Sequence, residues 1–364
     1  MITEYEIAFA SLKGLNQTLA TELLNRIGCE ERFFALSEHQ LAVEMGFESK
    51  IFARDYRDQL LEHARNELEF IEKNKISTFY YRNEDFPQRL TDCEDSPLLL
   101  YGLGNCDLNS AHFISVVGTR HATPYGKDFT ARLVSDLSKM LDNVVIVSGL
   151  AYGIDAAAHN AALQCGVPTV AVLAHGLSVI YPAANRNLAA KIANGGGMLL
   201  TDYQSWMPIH KGNFIARNRI VAGISDCTVV VESGLKGGSL ITARLASGYC
   251  RDVFTLPGRI SDRYSEGCNR LLLSNGASII RSADDLVSAM RWTAKNIDEQ
   301  PKLFRELSTE EQAIVDYLTA NGEAHINEIC VNVNIPIAKL TGILIDMEFD
   351  GLVLTYPGSK YRLV

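Results

Sequence analysis

From Phe113 onward the chain alternates short, continuously apolar segments with amphipathic helical runs, and this alternation restricts the fold more than any other feature. The apolar segments are Phe113–Val117, Val144–Ser148, Thr169–Leu173, Met198–Thr201, Thr228–Val231, Val253–Leu256 and Ser278–Ile280. Apolar runs without polar alternation describe strands buried on both faces, and parallel strands need crossover helices to connect them. Such helices lie between the runs, as at Tyr125–Leu141, with Phe129, Leu133, Leu137 and Met140 on one face. The pattern predicts an α/β fold, a Rossmann-like, doubly wound, mostly parallel sheet over residues 111–292.

The flanks follow other periods. Residues 1–75 read as a helical module: Leu12, Leu15, Leu19, Leu23 and Leu24 recur at helical spacing, and an amphipathic run spans Ser49–Lys73. Within it, Leu12-Lys13-Gly14-Leu15-Asn16 followed by Ala20 is similar to a SAM or helix-hairpin-helix turn. Asn16 stands where a second glycine is usual and is able to adopt a positive φ. A plain packed helix pair fits the same residues. Residues 76–110, punctuated by Phe86-Pro87, Ser96-Pro97 and Tyr101–Gly104, read as a connector with a short strand at Leu98–Tyr101. Residues 293–305 form a polar linker. Helices at Thr309–Thr319, Ile326–Val331 and Ile337–Phe349, then strands at Leu352–Tyr356 and Tyr361–Val364, predict a winged helix over 306–364.

Charge is unevenly distributed along the chain. The net charge is -9, yet residues 110–285 carry +4 between an N-terminal stretch of -9 and a C-terminal one of -4. An anionic ligand is therefore expected in the middle region. The eight cysteines form no CxxC pair and no zinc spacing, which fits free thiols in a reducing cytoplasm. No stretch approaches the ~18–20 apolar residues of a membrane span, and the start has no secretory pattern. The expectation is a cytoplasmic protein with no membrane partner, no metal and no cofactor.

Open parallel sheets bind ligands outside the carboxyl ends of their strands. Gly118-Thr119-Arg120 follows the first strand, and Ser148-Gly149-Leu150-Ala151-Tyr152-Gly153 the second. His175-Gly176, Tyr181-Pro182 and Asn185-Arg186 follow the third, and Arg217-Asn218-Arg219 lies beyond the fourth. Glu232-Ser233-Gly234-Leu235-Lys236-Gly237-Gly238-Ser239 follows the fifth. Glycines admit close backbone approach and helix N-termini offer N–H groups to anions, so these loops predict a phosphate-binding rim. Known nucleotide motifs do not fit: GxxxxGK[ST] is absent, and Gly149 to Gly153 is GxxxG rather than GxGxxG. Ser148, Asp155 and His159 invite a triad, but Asp155 and His159 are four apart on one helix, the spacing of an ordinary helix-face pair. His175 is a candidate base. Asp202 and Glu232 end strands, where they could bind a ligand donor or orient neighbouring loops.

The segments SVVGTRHATPYG, SGLAYGIDAAAHNAAL, AVLAHGLSVIYPAANRNLAAKI, ARNRIVAG, VVVESGLKGGSLITARLA, and LPG followed by EGCNRLLLSNGA occur in that order. Together, over residues 86–290, they resemble the DNA-processing protein A family (DprA/Smf). Two departures stand out: the family's FPxRNR reads Phe214 to Arg219 without proline, and its Ser-Glu reads Thr201-Asp202. The resemblance implies a non-enzymatic single-stranded DNA-binding protein of natural transformation that protects incoming strands and loads the RecA recombinase. It implies phosphate contacts from Arg120 and Arg186, on the GTR and YPxxNR motifs with Asn185, then from Arg217, Asn218, Arg219, Lys236 and Ser239. It also implies N–H donors at Gly149 and Gly238, and a homodimer through Leu272, Leu273 and Ile279. Two rivals remain from other classes. A lysine-decarboxylase-like phosphoribohydrolase would need a glutamate where Thr242 stands. A winged-helix transcription regulator would need a basic reading helix, but Asp346, Glu348 and Asp350 accompany Lys339.

Overall fold

The computed structural model describes residues 2–295 and 307–363. The chain divides into two compact units, Met1–Asn296 and Ile297–Val364.

The first unit begins with five helices, α1 (Glu4–Ala10), α2 (Gln17–Ile27), α3 (Glu30–Ala35), α4 (Glu38–Met45) and α5 (Arg54–Asn74). Thr3 with Glu6, and Ser37 with Gln40, close capping boxes that satisfy the free N–H groups of α1 and α4. Asn16 does not take the left-handed conformation expected of it. Its φ is -109°, and its side chain accepts from the Leu19 N–H to cap α2, while Gly14 takes the positive φ of the turn. Phe9, Phe33 and Phe34 meet edge to face in the core of this module. Arg57 is wholly buried there because its guanidinium donates to the carbonyls of Phe33, Phe34, Leu36 and Phe52, which the short helices leave open.

The sheet has nine strands: β1 (Ser77–Tyr80), β2 (Leu99–Gly104), β3 (His112–Val117), β4 (Val144–Ser148), β5 (Thr169–Val172), β6 (Met198–Thr201), β7 (Cys227–Val230), β8 (Asp252–Thr255) and β9 (Ser278–Ile279). Their order is β1-β2-β6-β5-β4-β3-β7-β8-β9. β1 pairs antiparallel with β2 and β2 antiparallel with β6, while the remaining pairs are parallel. Residues 76–110 are thus not a connector. They supply the antiparallel edge of the sheet, because Leu98–Tyr101 serves two cores. Leu100 packs in the sheet core, while Leu99 and Tyr101 pack with the helical module.

Helices α6 (Gln88–Thr91), α7 (Pro124–Met140), α8 (Ile154–Gln164), α9 (Arg186–Asn194), α10 (Lys211–Gly223), α11 (Gly238–Gly248), α12 (Glu266–Leu273) and α13 (Ala283–Ala289) accompany the strands. The central strands are buried throughout, with successive side chains entering cores on opposite faces of the sheet. Val145 and Val147 enter one core, while Val144 and Ile146 enter the other. The chain winds from β3 to β6 in one direction and from β7 to β9 in the other. β3 and β7 are neighbours, so a crevice opens beyond their carboxyl ends, where sheets of this kind bind ligands.

The second unit contains α14 (Thr309–Asn321), β10 (Ala324–His325), α15 (Ile326–Val333), α16 (Ile337–Phe349), β11 (Val353–Tyr356) and β12 (Lys360–Leu363). The strands form a sheet in the order β10-β12-β11 around a core of Ile314, Leu318, Ile329, Leu340, Leu344 and Met347. This is a winged helix, with β10 as a strand the sequence pattern did not predict. Most of the expected linker, residues 296–305, lies outside the described residues. Among the described residues, no single helix is long and apolar enough to cross a membrane.

Candidate nucleic-acid interface

A cavity of about 620 Å³ occupies the crevice, lined by the loops after β3, β4, β7 and β8 and by α10. Each loop is tied down from below. After β3, the Thr119 N–H donates to the Glu232 carbonyl at 2.7 Å, and the Ile154 N–H donates to the Thr119 carbonyl at 3.2 Å. The buried Glu232 carboxylate accepts from the Thr123 N–H at 2.9 Å and its hydroxyl at 2.5 Å. Glu232 therefore orients the start of α7. Gly153 lies so close that a Cβ would sit 2.2 Å from the Thr119 carbonyl oxygen, and its φ is +78°. What this clamped loop presents to solvent is Arg120, its guanidinium 5.9 Å from the ring centre of Phe214.

The loop after β4 is held from three sides. Arg217 is buried and donates to the Gly149 carbonyl at 2.9 Å and to the Val172 carbonyl. Asp155 accepts from the Gly149 and Ala151 N–H groups, each at 3.2 Å. Asn185 donates to the Leu150 carbonyl at 2.8 Å and the Ala151 carbonyl at 3.3 Å. Burial pushes the Asp155 carboxyl up and the Arg217 guanidinium down, and each charge partly offsets the other's shift. A Cβ at Gly149 would lie 2.5 Å from an Arg217 nitrogen, so only glycine lets the two meet.

These contacts correct several expected roles. The Gly149 N–H is taken by Asp155, so it is not an open phosphate donor. Arg217 and Asn185 hold the loop through buried carbonyls. Arg219 pairs with Asp202 and donates to the Asp95 carbonyl. It lines a separate cavity of about 500 Å³ with Ser11, Asn16 and Gln204. Of the three consecutive residues on α10, Arg217 is buried beneath the crevice, Asn218 borders it, and Arg219 turns away. The Ser239 hydroxyl donates to the Ser233 hydroxyl at 2.9 Å and fastens the glycine loop.

Lys236 is exposed at the rim, and Gly238 opens α11 with no side-chain cap. The first N–H groups of an α-helix have no intrahelical partner and carry the positive end of its dipole, here facing the cavity. Among the described residues, no acidic side chain pairs with Arg120, Lys236 or Arg186. Arg186 is exposed at the start of α9, outside the cavity lining.

Ser148, Asp155 and His159 do not line up as a hydrolytic triad. The Ser148 hydroxyl donates to the Val116 carbonyl at 2.7 Å, and His159 meets the Thr169 hydroxyl at 2.7 Å. His175 accepts from the Tyr181 N–H at 3.2 Å and lies 2.9 Å from the Gly176 carbonyl oxygen, so it shapes its own loop. Thr242 lines the cavity where a phosphoribohydrolase would carry its glutamate. Among the described residues, no group of His, Cys, Asp or Glu side chains is placed to hold a metal ion.

The aromatic side of the crevice escaped the sequence reading. Phe214 borders the cavity and meets Tyr181 edge on, 5.4 Å between ring centres, with Ile215 56% exposed beside it. The available signal was spacing: Phe214 precedes Arg217 by three residues, which on a helix is one face. Away from the crevice, Leu273 is 87% exposed and Ile279 51%, next to the half-buried Leu272. Ile279 lies on β9, the outermost strand at its end of the sheet.

Comparison with known proteins agrees with this architecture. Residues 77–291 match the family model described as DNA recombination-mediator protein A, and residues 298–359 match that of the DprA winged helix domain. Protein Smf of Synechocystis is 34% identical over 79% of this chain and 72% of its own. The DNA processing protein DprA of Streptococcus pneumoniae is 40% identical over 61% of this chain and 77% of its own. The X-ray structure of DprA from Streptococcus pneumoniae superposes with a TM-score of 0.66 at 33% identity, covering 79% of this chain and 98% of that one. A structure of DNA processing protein A from Helicobacter pylori, solved to show its single-stranded DNA binding mode, superposes with a TM-score of 0.53 at 33% identity, covering 60% and 96%. The doubly wound sheet and the winged helix agree with these matches, and the chain belongs to the DNA recombination-mediator protein A family.

Proposed function

We propose that this protein binds single-stranded DNA in the crevice between β3 and β7, without base specificity and without chemistry on the strand. The observation that carries the reading is the pairing of solvent-facing cations with an aromatic wall. Arg120 and Lys236 lie on clamped loops without acidic partners, beside Phe214 and the open N-terminus of α11. Cations along a backbone track and rings for bases to stack on are what sequence-tolerant single-strand binding requires. The Helicobacter pylori relative is itself a single-stranded DNA binder, which supports the reading. Arg186 extends the same cationic rim on α9, and Asn218 and Gly238 contribute polar groups inside it. Arg217, Arg219, Asn185, Gly149 and Ser239 act one step back, by fixing the loops.

In this reading the protein protects incoming strands during DNA uptake in the cytoplasm and delivers them to the RecA recombinase. It works as a homodimer through Leu272, Leu273 and Ile279, a partly exposed apolar group beside an open sheet edge. The test is a fluorescence titration of matched single- and double-stranded oligonucleotides. Single strands should bind more tightly, and Arg120→Ala with Arg186→Ala should weaken them alike at every sequence. Equal affinity for both forms, or an unchanged double variant, would reject the reading.

A further inference from the structure

The loop between β8 and α12 borders the crevice on one side and a second cavity, of about 830 Å³, on the other. Arg263 and Tyr264 line both cavities, so one wall of residues joins them. The second cavity is completed by Thr123, Tyr125, Pro257 and Arg259. Nothing in the sequence pattern assigned this loop a role.

The base of the loop is fixed. Asn269 donates to the Gly258 carbonyl at 2.9 Å and accepts from the Gly258 N–H at 3.2 Å. The Ser233 N–H donates to the Tyr264 carbonyl at 2.6 Å, which joins this loop to the glycine-rich loop of the crevice. The Tyr125 hydroxyl donates to the Pro257 carbonyl at 3.2 Å. The tip is open. Arg259 and Arg263 are exposed and have no acidic partner among the described residues, and Ile260 between them is 93% exposed. The Tyr264 ring lies nearly parallel to His121, at 24° and 5.9 Å between centres, and the Arg263 guanidinium lies 5.9 Å from the Tyr264 ring centre. Acids near the loop include Glu266, which is exposed at the crevice. The oxygens of Glu232 are already engaged by Thr123, and Asp262 sits at the exposed tip between the arginines.

A rigidly based loop that offers two unneutralised guanidinium groups, a ring shared by two cavities and a bare apolar tip has the composition of a nucleic-acid subsite. A solvated turn would show none of the three together. We infer that this loop forms a second subsite for the same single strand, with phosphates on Arg259 and Arg263 and a base on Tyr264. The strand thereby continues from the crevice past His121 into the cavity beside Tyr125. The inference rests on the single-strand reading above, and the ligand it requires is a strand longer than the crevice alone accommodates.

The experiment measures affinity for oligothymidylates of increasing length with the full chain, with Arg120→Ala, with Arg259→Ala plus Arg263→Ala, and with Tyr264→Ala and Tyr264→Phe. For the unaltered protein, affinity rises with length and then levels. The arginine pair variant should match it on the shortest bound oligomers and fall behind on longer ones, with the salt slope reduced by about 1.4 for two lost single-strand phosphate contacts. Tyr264→Ala should weaken long oligomers by about tenfold, and Tyr264→Phe should restore them because stacking needs only the ring. Both arginines are solvent-facing, so that variant remains folded and informative even where Tyr264→Ala disturbs the loop. Unchanged length dependence in the arginine pair variant, with Arg120→Ala still weakened, would overturn this inference and leave the crevice reading intact. Equal losses at every length would also overturn it, by merging the loop with the first site. An unaffected Arg120→Ala would remove the parent reading instead.

Discussion

The edge of the sheet and the winged helix both present lysines and arginines, but among the described residues the first leaves several of its charges open and the second leaves one, Arg362. In the winged helix, Lys339 pairs with Glu310 and Lys360 with Glu323, the latter at 2.8 Å. Its third helix carries Asp346 and Glu348, and Arg362 lies over the Tyr356 ring at 5.4 Å. At the sheet edge, Arg219 is neutralised by Asp202 and Arg217 sits among carbonyls, while Arg120, Lys236, Arg259 and Arg263 face solvent unpaired. A cation already matched to a carboxylate must break that pair to hold a phosphate, whereas an open one only releases its counterions. Counting basic residues therefore misleads in both regions. What opposes each cation decides whether it holds the protein together or meets a polyanion. In the winged helix, Val331 is 79% and Phe349 89% exposed.

The division between holding and binding cations breaks first at Arg217. Arg217→Met should cost about 3 kcal/mol or more in urea unfolding, because two buried carbonyls lose their donor and Asp155 its nearest cation. A loss below about 1 kcal/mol would mean that Arg217 is not the fixed base of the crevice.

Acid should separate the two units next. His159 is fully buried in the first unit and its imidazole is held down to about 3 by burial, ahead of the Arg217 charge. The folded pKa is below the unfolded one, near 6.5, so the neutral imidazole favours the fold above that pH. That stability is lost progressively as pH falls from about 6.5 toward the folded value. Between pH 7 and 5 it amounts to about 2 kcal/mol for one group. Thermal melts at the two pH values should show the first unit losing this stability, and His159→Gln should remove that part of the dependence. The variant isolates the imidazole from Asp155 and Glu67, whose carboxyls burial pushes up and whose pH dependence has the opposite sign. Among the described residues, the winged helix has no buried histidine to respond in this way.

Removing the winged helix gives the smallest change. A chain ending at residue 295 should bind the same oligothymidylate within about threefold of the full chain, or ~0.6 kcal/mol. A loss beyond about a hundredfold would place direct DNA contacts in the wing and cancel the contrast between the two regions.

The parallel strands were legible because a strand buried on both faces must be apolar throughout. Val144–Ser148 and Met198–Thr201 fall where their side chains predict. β1 and β2 were hidden because the prolines and glycines around them signal turns, and the pairing of Tyr101 with Thr201 spans a hundred residues of chain. Which cation is free is concealed differently, by side-chain direction. Arg120 and Lys236 were identified from their loops, but the pattern around Arg219 does not reveal that it turns to Asp202, nor that Asp155, only six residues on, takes the Gly149 N–H. Phe214 had a helical spacing to betray it. Tyr264 had none, since only the β8–α12 loop brings it against His121.

The most direct test of the account is the salt dependence of oligothymidylate binding by the full chain and by Arg120→Ala with Lys236→Ala. Both side chains are exposed, so the double variant should unfold within about 0.5 kcal/mol of the unaltered protein. The account predicts weaker binding at low salt and a slope of log K against log salt shallower by about 1.4, at ~0.7 for each lost single-strand phosphate contact. A folded double variant with the original affinity and the original slope would contradict it, because the open cations of the sheet edge would then not be where the strand lies.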